Sequence, residues 1–295
     1  MALGIIFAFA QAFAWSCTSL VLRNLSTRLD PFVVNGVRAV FGLIVLVPIL
    51  LLTANLQEFA LLTPNSLVYL IGSVVLGGVF GDALYVMSLK SLGVGVAFPI
   101  SNSFPLFTVI FSALLLGTTI EWPTIVGMVL IMAGVYFVAR PQGSVEQGAS
   151  ATPKRQLILG VLTALAAAVL WGLNTVVMSM GIEGVNGAIA NAVRMPAVIL
   201  ISFVAAAWRG QMGSVRHIDR RTLRLLIIAG ILGWGFSAYF WVMAVQLAGP
   251  SKTSIISATA PLFAVPLSAI LLHERPTRYT WIGTALTTLG VLFVV

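Results

Sequence analysis

Asp82 is a carboxylate in surroundings where carboxylates are rare. It stands in the segment Gly77-Gly-Val-Phe-Gly-Asp-Ala-Leu-Tyr85, inside an apolar run that covers residues 66–89. A charge in such a run is costly unless it is paired or hydrated, so it is a functional candidate by default. The carboxyl could exchange a proton or bind a substrate amine. Alternatively, it forms a permanent ion pair with Arg38.

Two arginines lie deep inside other apolar runs. Arg38 and Arg194 each follow an asparagine by three residues, Asn35 and Asn191 respectively. This spacing places the asparagine and the arginine on one face of a helix. The pair could hold a substrate carboxylate or phosphate. It could equally snorkel to an interface or bond the carbonyls of a helix end, and the repetition of the pattern favours this structural role.

Two related segments each place a proline within an apolar helix. Residues 102–117 read NSFPLFTVIFSALLLG and residues 258–273 read ATAPLFAVPLSAILLH. The prolines, Pro105 and Pro261, predict kinks because proline removes a backbone hydrogen bond. Polar residues precede both prolines: Ser101, Asn102, Ser103, Ser254, Ser257 and Thr259. We expect two kinked helices that line a substrate cavity, or that bend only for packing.

Further candidates are polar or aromatic residues near the middle of apolar runs. Aromatic rings with a few polar groups suit a moderately apolar ligand, such as an amino acid or a cationic drug. The rings could instead be interfacial anchors or part of the core. The predicted substrate-binding residues are Gln11, Trp15, Ser16, Asp82, Tyr85, Ser101, Asn102, Trp171, Asn174, Trp234, Tyr239 and Ser257.

The composition predicts an all-α integral membrane protein. Of 295 residues, 59% are hydrophobic and only 8% are charged, far from the balance of a soluble domain. Apolar runs long enough to cross a bilayer predict ten transmembrane helices. They cover 3–22, 32–53, 66–89, 93–116, 122–139, 157–179, 187–208, 223–247, 251–272 and 279–295.

Metal and cofactor chemistry has little support in the sequence. Cys17 is the single cysteine, and the two histidines, His217 and His273, are far apart. These residues predict neither a disulfide nor a metal site. The chain also lacks a phosphate-binding glycine loop followed by lysine, so nothing indicates ATP-driven pumping. We therefore expect no cofactor and no enzymatic activity.

The distribution of basic residues predicts the topology. The net charge is +8, but nearly all Lys and Arg residues lie in loops on one predicted face, whereas Lys252 is on the other. The positive-inside rule makes the basic face cytoplasmic and places both termini outside. The charge therefore reflects topology, and no nucleic-acid partner is expected.

The chain is an internal duplication. A shift of 156 positions superposes Trp15 on Trp171, Arg38 on Arg194 and Pro105 on Pro261, among other identities. This predicts a first repeat at 1–139, a linker at 140–156 and a second repeat at 157–295. Because each repeat has an odd number of helices, we expect inverted repeats around a central cavity.

The sequence resembles the drug/metabolite transporter superfamily, specifically the ten-helix proteins with two EamA-type domains. The resemblance is carried by PLFTVIFSALLLGTTIEWPTIVGMVLIMAGVYFV and PLFAVPLSAILLHERPTRYTWIGTALTTLGVLFVV and extends over almost the whole chain. It implies a secondary transporter whose cavity is lined mainly by the first, third, fourth, sixth, eighth and ninth helices. Many relatives of this kind export amino acids or other metabolites.

The predicted function is secondary active transport of a small amphipathic metabolite, in the export direction, by alternating access. Asp82 is the candidate for proton coupling. The alternatives are a passive channel, which would show a continuous polar stripe, and a lipid-modifying membrane enzyme, which would show clustered His, Asp or Glu. The expected partners are a small-molecule substrate, protons and membrane lipid, and the chain is a monomer or a homodimer. The expected location is the inner or plasma membrane of a bacterium.

Overall fold

All regular elements in the described part of the chain are helical. The computed structural model describes residues 1–139, 154–260, 262, 263, 267 and 278–294. The predicted linker at 140–156 and the predicted kink residue Pro261 therefore lie wholly or largely outside the described residues. His273 and the other residues of the second signature segment between 268 and 277 also lie outside the described residues.

The first half contains six α-helices. They are α1 (Ala2–Ser26), α2 (Pro31–Thr53), α3 (Pro64–Leu92), α4 (Val94–Ser101), α5 (Phe104–Leu116) and α6 (Trp122–Ala139). A short 3₁₀ helix, Leu56–Leu61, joins α2 to α3. The predicted span 93–116 thus contains two helices, α4 and α5, which are separated by Asn102 and Ser103.

The second half has five α-helices within the described residues. They are α7 (Lys154–Gly181), α8 (Gly187–Trp208), α9 (Arg220–Ala248), α10 (Pro250–Ser257) and α11 (Arg278–Val294). A 3₁₀ helix, Met212–His217, joins α8 to α9. The predicted span 251–272 begins as α10, and most of its remainder is outside the described residues.

Six helices are long and apolar enough to cross a membrane: α1, α2, α3, α7, α8 and α9. Shorter apolar helices cover Phe104–Leu116, Trp122–Gly134 and Trp281–Phe293. Exposed large hydrophobic side chains occur along these helices, among them Leu52, Leu114 and Leu200. Such surfaces are stable in lipid and unfavourable in water, so the chain is a multi-pass membrane protein.

The long helices α3 and α9 each contain a π-helical segment in the middle. The segments are Val74–Gly81 and Gly230–Ser237, which correspond under the shift of 156 positions. Glycines within them allow close approach, because a methyl group on Gly77 would lie 2.5 Å from Asn174 of α7. Wider turns of this kind are frequent at functional sites, and both segments face the centre of the molecule.

Helices α2 and α8, which correspond under the shift, run antiparallel along each other. The start of α2 meets the end of α8, where Arg209 Nε donates to Asp30 Oδ2 at 3.1 Å. The end of α2 meets the start of α8, where Asn186 Nδ2 donates to the carbonyl of Thr53 at 3.4 Å. Two equivalent helices therefore have opposite directions.

Helices α6 and α11 form a second close antiparallel pair. A methyl group on Gly134 would lie 2.6 Å from the carbonyl oxygen of Gly283, and one on Gly290 would lie 2.7 Å from that of Gly127. The backbones therefore touch, as small residues allow in membrane helices. Gly127 corresponds to Gly283 and Gly134 to Gly290. The contact of Gly134 with Gly283 and that of Gly290 with Gly127 are therefore equivalent under the repeat.

The remaining helix contacts surround the centre of the molecule. Each of these contacts has an equivalent in which the two halves are interchanged. Helix α1 packs on α9, and its equivalent α7 packs on α3. Helix α1 also contacts α10, whereas α7 contacts α4 and α5. The four helices α1, α3, α7 and α9 therefore enclose the middle of the molecule, with α2 and α8 behind them.

Candidate functional site

A central cavity of about 110 Å³ lies between the two halves. Ten of the residues singled out from the sequence line it: Gln11, Trp15, Arg38, Asp82, Asn102, Trp171, Asn174, Arg194, Trp234 and Ser257. They come from α1, α2, α3, α7, α8, α9, α10 and the interruption between α4 and α5. The cavity brings these side chains together, and their role in substrate binding remains a prediction.

Asp82 is paired at both carboxylate oxygens. Arg38 donates from Nη2 to Oδ2, and Trp171 donates from Nε1 to Oδ1 at 3.0 Å. Arg38 is almost fully buried, and its Nη2 and Nε also donate to Asn35 Oδ1, at 2.9 and 3.2 Å. The ion pair weighed from the sequence is therefore present. Its carboxylate also joins the first half to the second, because Trp171 lies on α7.

Asn35 is the centre of the same network. Its Oδ1 also accepts from Trp234 Nε1 at 3.0 Å, and its Nδ2 donates to the carbonyl of Gly78 and to Ser202 Oγ. The guanidinium of Arg38 lies 5.7 Å from the centre of the Trp234 ring. Buried polar groups are stabilised by partners of this kind, although Nη1 of Arg38 has no partner among the described residues. The network fixes one wall of the cavity through contacts with five helices.

Arg194, the counterpart of Arg38, has a different environment. It lines the cavity with only 4% of its surface exposed, and it forms no ion pair or hydrogen bond with any described residue. Ala238 occupies the position equivalent to Asp82. Asn191 bonds the carbonyl of Gly187 in its own helix at 3.1 Å and does not hold the arginine. Neither arginine bonds a helix-end carbonyl among the described contacts, and the role expected for each in the sequence analysis remains a prediction.

Aromatic rings form the apolar part of the wall. Trp15 and Trp171 meet edge to face with their ring centres 5.7 Å apart. Phe104 lies between Trp171 and Trp241, at 6.2 and 6.0 Å from their centres. Tyr85 is fully buried behind the two tryptophans, 5.1 Å from Trp171, and does not line the cavity. It supports the rings from behind.

Several polar atoms around the cavity have no protein partner among the described residues. They are Gln11 Oε1, Asn174 Oδ1 and Ser257 Oγ, all in buried side chains. Gln11 is held in place because its Nε2 donates to Ser237 Oγ at 3.3 Å. Buried acceptors without partners are unusual and are explained when a ligand or water satisfies them. They offer hydrogen bonds to a molecule in the cavity.

Three other predicted site residues lie away from the cavity. Ser16 Oγ is placed to bond the carbonyls of Ala12 and Ala260, so it links α1 to the chain after α10. Ser101 Oγ donates to the carbonyl of Ala164 at 3.3 Å and links α4 to α7. Tyr239 packs edge to face against Phe7 of α1, with ring centres 6.4 Å apart. These side chains connect helices.

The helix at Pro105 is interrupted before the proline. Asn102 and Ser103 form a turn, in which Asn102 Nδ2 donates to the carbonyl of Phe98 at 2.9 Å. Pro105 then lies in the first turn of α5, where a missing N–H costs nothing because no partner is available there. A similar turn at Ala258 and Thr259 follows α10. The cavity wall thus gains Asn102 from the turn.

Sequence reasoning missed several lining residues. Phe104, Ser237 and Trp241 line the cavity but are absent from the substrate-binding residues predicted from the sequence. A signal existed for Phe104, since it directly precedes Pro105. Ser237 is less accessible to prediction, because the π-helical segment that ends there alters which residues face inward. Within the described residues no group of three or more His, Cys, Asp or Glu side chains could hold a metal.

The chain is similar to transporters over more than nine-tenths of its length. A model of the EamA-like transporter family matches residues 2–140 and 158–295. An uncharacterized transporter of Archaeoglobus fulgidus is 24% identical over 277 residues, which cover 92% of this chain and 91% of that protein. The uncharacterized transporter YoaV of Bacillus subtilis is 23% identical over 288 residues, with 94% and 91% covered.

The fold has a counterpart of known structure. A crystal structure with 21% sequence identity superposes with a TM-score of 0.74, covering 99% of this chain and 95% of the other. This likeness concerns the fold. The family model, which matches both halves of the chain, confirms the resemblance found in the sequence: the chain belongs to the EamA-like transporter family.

Proposed function

We propose that this membrane transporter exports a small amphipathic metabolite, such as an amino acid, by alternating access of the central cavity. The observation that carries the proposal is a single cavity whose wall is shared by both halves of the chain. Its aromatic and polar side chains suit a ligand with an apolar body and a polar group. The direction is the one implied by the resemblance to exporters.

The proposed architecture is two inverted five-helix repeats, 1–139 and 157–295, joined by a linker at 140–156. The antiparallel course of α2 and α8 supports it, since equivalent helices of parallel repeats would point the same way. The exchanged glycine contacts between α6 and α11 support it too. Inverted repeats allow a central site to open to either face when the halves exchange conformations.

A group of polar contacts would close the cavity on the predicted cytoplasmic face. Arg209 Nε lies 3.1 Å from Asp30 Oδ2, and Arg28 Nη1 lies 4.0 Å from Asp219 Oδ2. Hydrogen bonds from Thr222 lower the pKa of Asp219, so this carboxyl remains charged opposite Arg28. We call these four charged residues the loop contacts. They link the α1–α2 loop with the segments on either side of the α8–α9 loop.

Transport by a purified protein tests the proposal directly. Proteoliposomes loaded with unlabelled leucine or phenylalanine should take up the radiolabelled compound by saturable counterflow. Flux that rises linearly with concentration would indicate a channel, and chemical conversion of the label would indicate an enzyme. Failure of every amphipathic metabolite in such an assay to exchange would contradict the proposed function.

Asp82 is the proposed site of proton coupling. It bonds Arg38 in its own half and Trp171 in the other, so protonation would weaken a contact between the halves. In Asp82→Asn we expect counterflow to persist while accumulation driven by a pH gradient is lost. Glu183→Gln, which changes an exposed carboxylate in a loop, serves as the matched control. Normal gradient-driven accumulation by Asp82→Asn would rule out coupling at this residue.

A further inference from the structure

The cavity holds one more positive charge than negative charge. The charged residues of its described lining are Arg38, Asp82 and Arg194. Arg38 and Asp82 neutralise each other through their ion pair. Arg194 therefore leaves the lining with a net positive charge.

Arg194 lacks the partners that a buried guanidinium needs. Its Nε is buried with no acceptor among the described residues, and the residue as a whole is only 4% exposed. An uncompensated buried charge is expensive. Such a group is retained at a cost in stability, and a ligand that brings the missing negative charge would remove that cost.

The first half shows what the missing partner is. Asp82 follows directly after a π-helical segment, and its carboxylate lies between the Nη2 of Arg38 and the Nε1 of Trp171. The donors come from α2 and from α7, the helix against which α3 packs. This is a complete carboxylate site made by the protein itself.

The second half repeats the donors without the carboxylate. Arg194 corresponds to Arg38, Trp15 corresponds to Trp171, and both line the cavity. The residue directly after the second π-helical segment is Ala238, which also lines the cavity. Helix α9 packs on α1 as α3 packs on α7. The indole N–H of Trp15 has no acceptor among the described residues.

We infer that Arg194 and Trp15 bind the carboxylate of the substrate, in the place that corresponds to the carboxylate of Asp82 in the other half. The inference rests on the proposed function and narrows its substrate class to carboxylates that carry a net negative charge. Arginine suits this role because its planar guanidinium matches a carboxylate. The apolar body of the substrate lies against Phe104, Trp171 and Trp241.

The charge of the cavity lining favours a ligand with a net negative charge over a zwitterionic amino acid. Asp82 is already bonded on both oxygens, so no free carboxylate remains among the described lining residues for a substrate ammonium group. The unpartnered oxygens of Gln11, Asn174 and Ser257 are neutral and can bond a hydroxyl or amide group of the substrate. A zwitterion binds with the same carboxylate contact but leaves its ammonium without a counter-charge.

Three ligands that share a phenylethyl group and differ in charge separate these possibilities. Tryptophan fluorescence of the purified protein in detergent would be titrated with 3-phenylpropionate, phenylalanine and phenethylamine. We expect 3-phenylpropionate to bind most tightly, phenylalanine more weakly, and phenethylamine at least tenfold more weakly than 3-phenylpropionate. Equal affinity for all three, or tightest binding of phenethylamine, would overturn the inference.

Arg194→Met retains an unbranched apolar stem and removes the guanidinium group with its charge. We expect it to weaken 3-phenylpropionate binding by about tenfold or more, the loss expected for a charge-assisted contact. Arg224→Met removes an exposed arginine of α9 and should bind as the wild type does. Unchanged binding by Arg194→Met would contradict the assignment.

A second test needs no ligand. Ala238→Asp supplies an internal carboxylate at the equivalent position, so it should raise the melting temperature of the wild type and abolish 3-phenylpropionate binding. In the Arg194→Met background the same change should lower the melting temperature, since the new carboxylate has no partner. If Ala238→Asp lowered the melting temperature equally in both backgrounds, Arg194 would not pair with a carboxylate at position 238, whichever ligands bind.

These measurements involve no transport. Saturable counterflow with no preference for carboxylates would leave the carrier function standing and overturn the carboxylate site. Conversely, tight carboxylate binding by a protein that fails in counterflow would overturn the carrier function alone.

Discussion

At the scale of single residues, two equivalent arginines differ in what surrounds them. Arg38 bonds Asp82 and Asn35 in a buried network, whereas Arg194 has no bonded partner among the described residues. A partnered buried charge depends on its counter-ion, because removing one member leaves the other unpaired. Loss of the charge at Arg38 should therefore lower the free energy of unfolding, whereas loss of the charge at Arg194 should raise it.

Arg38→Met should be strongly destabilising. It leaves Asp82 buried without its cation, and we expect the free energy of unfolding to fall by about 3–5 kcal/mol. Melting temperatures in detergent would measure the loss. The double variant Arg38→Met/Asp82→Leu should recover much of it, because a buried pair replaced by apolar side chains is often tolerated. A double variant as unstable as the single one would contradict this account.

Much of the site could be predicted from the type of residue and the internal repeat. Asp82, Trp171 and Asn174 were recognised as polar or aromatic groups in apolar runs, and all line the cavity. Tyr85 could not be placed in this way, because it shares a helix with Asp82 and only the packing of Trp15 and Trp171 places it behind the wall. The lack of a bonded partner for the buried Arg194 likewise depends on the packing of several helices.

At the scale of helices, the internal repeat and the apolar runs predicted most of the elements. The long spans agree with α1, α2, α3, α7, α8 and α9. The break between α4 and α5 was expected as a kink at Pro105, but it occurs at Asn102 and Ser103 because proline is best accommodated in a first turn. The π-helical segments had no signal beyond their glycines.

The contact between α6 and α11 depends on glycine. In Gly134→Val the new side chain would collide with Gly283 and Thr287, so we expect a loss of about 1–3 kcal/mol in stability, the usual cost of overpacking. The melting temperature in detergent measures this loss. Gly72→Ala is the matched control, since a methyl group there meets nothing within 4 Å. Equal melting temperatures for the two variants would contradict the close contact.

At the scale of the whole molecule, the two halves meet on the predicted cytoplasmic face through the loop contacts. Asp30 Oδ2 and Arg209 Nε are 3.1 Å apart, although the residues are 179 positions apart in the chain. Alternating access requires these groups to separate during each cycle. A constraint that holds them together should therefore stop transport.

Cross-linking tests this requirement. In a Cys17→Ser background, Asp30→Cys and Arg209→Cys would be joined by a short flexible thiol cross-linker in proteoliposomes. We expect counterflow to fall to a few per cent of that before cross-linking, and a reducible cross-linker to restore it after reduction. Arg209→Cys alone, treated in the same way, is the control. Full counterflow by the cross-linked protein would show that this face does not open.

The glycine contact between α6 and α11 has a mechanical consequence. Neither helix contributes a described residue to the cavity lining, yet each belongs to a different half of the chain. Touching backbones would collide if they slid, so we expect a displacement of one half against the other to turn about this pair of helices. The pair would act as a fulcrum: the distances across it stay constant through the cycle, while those on the far side of the cavity change most.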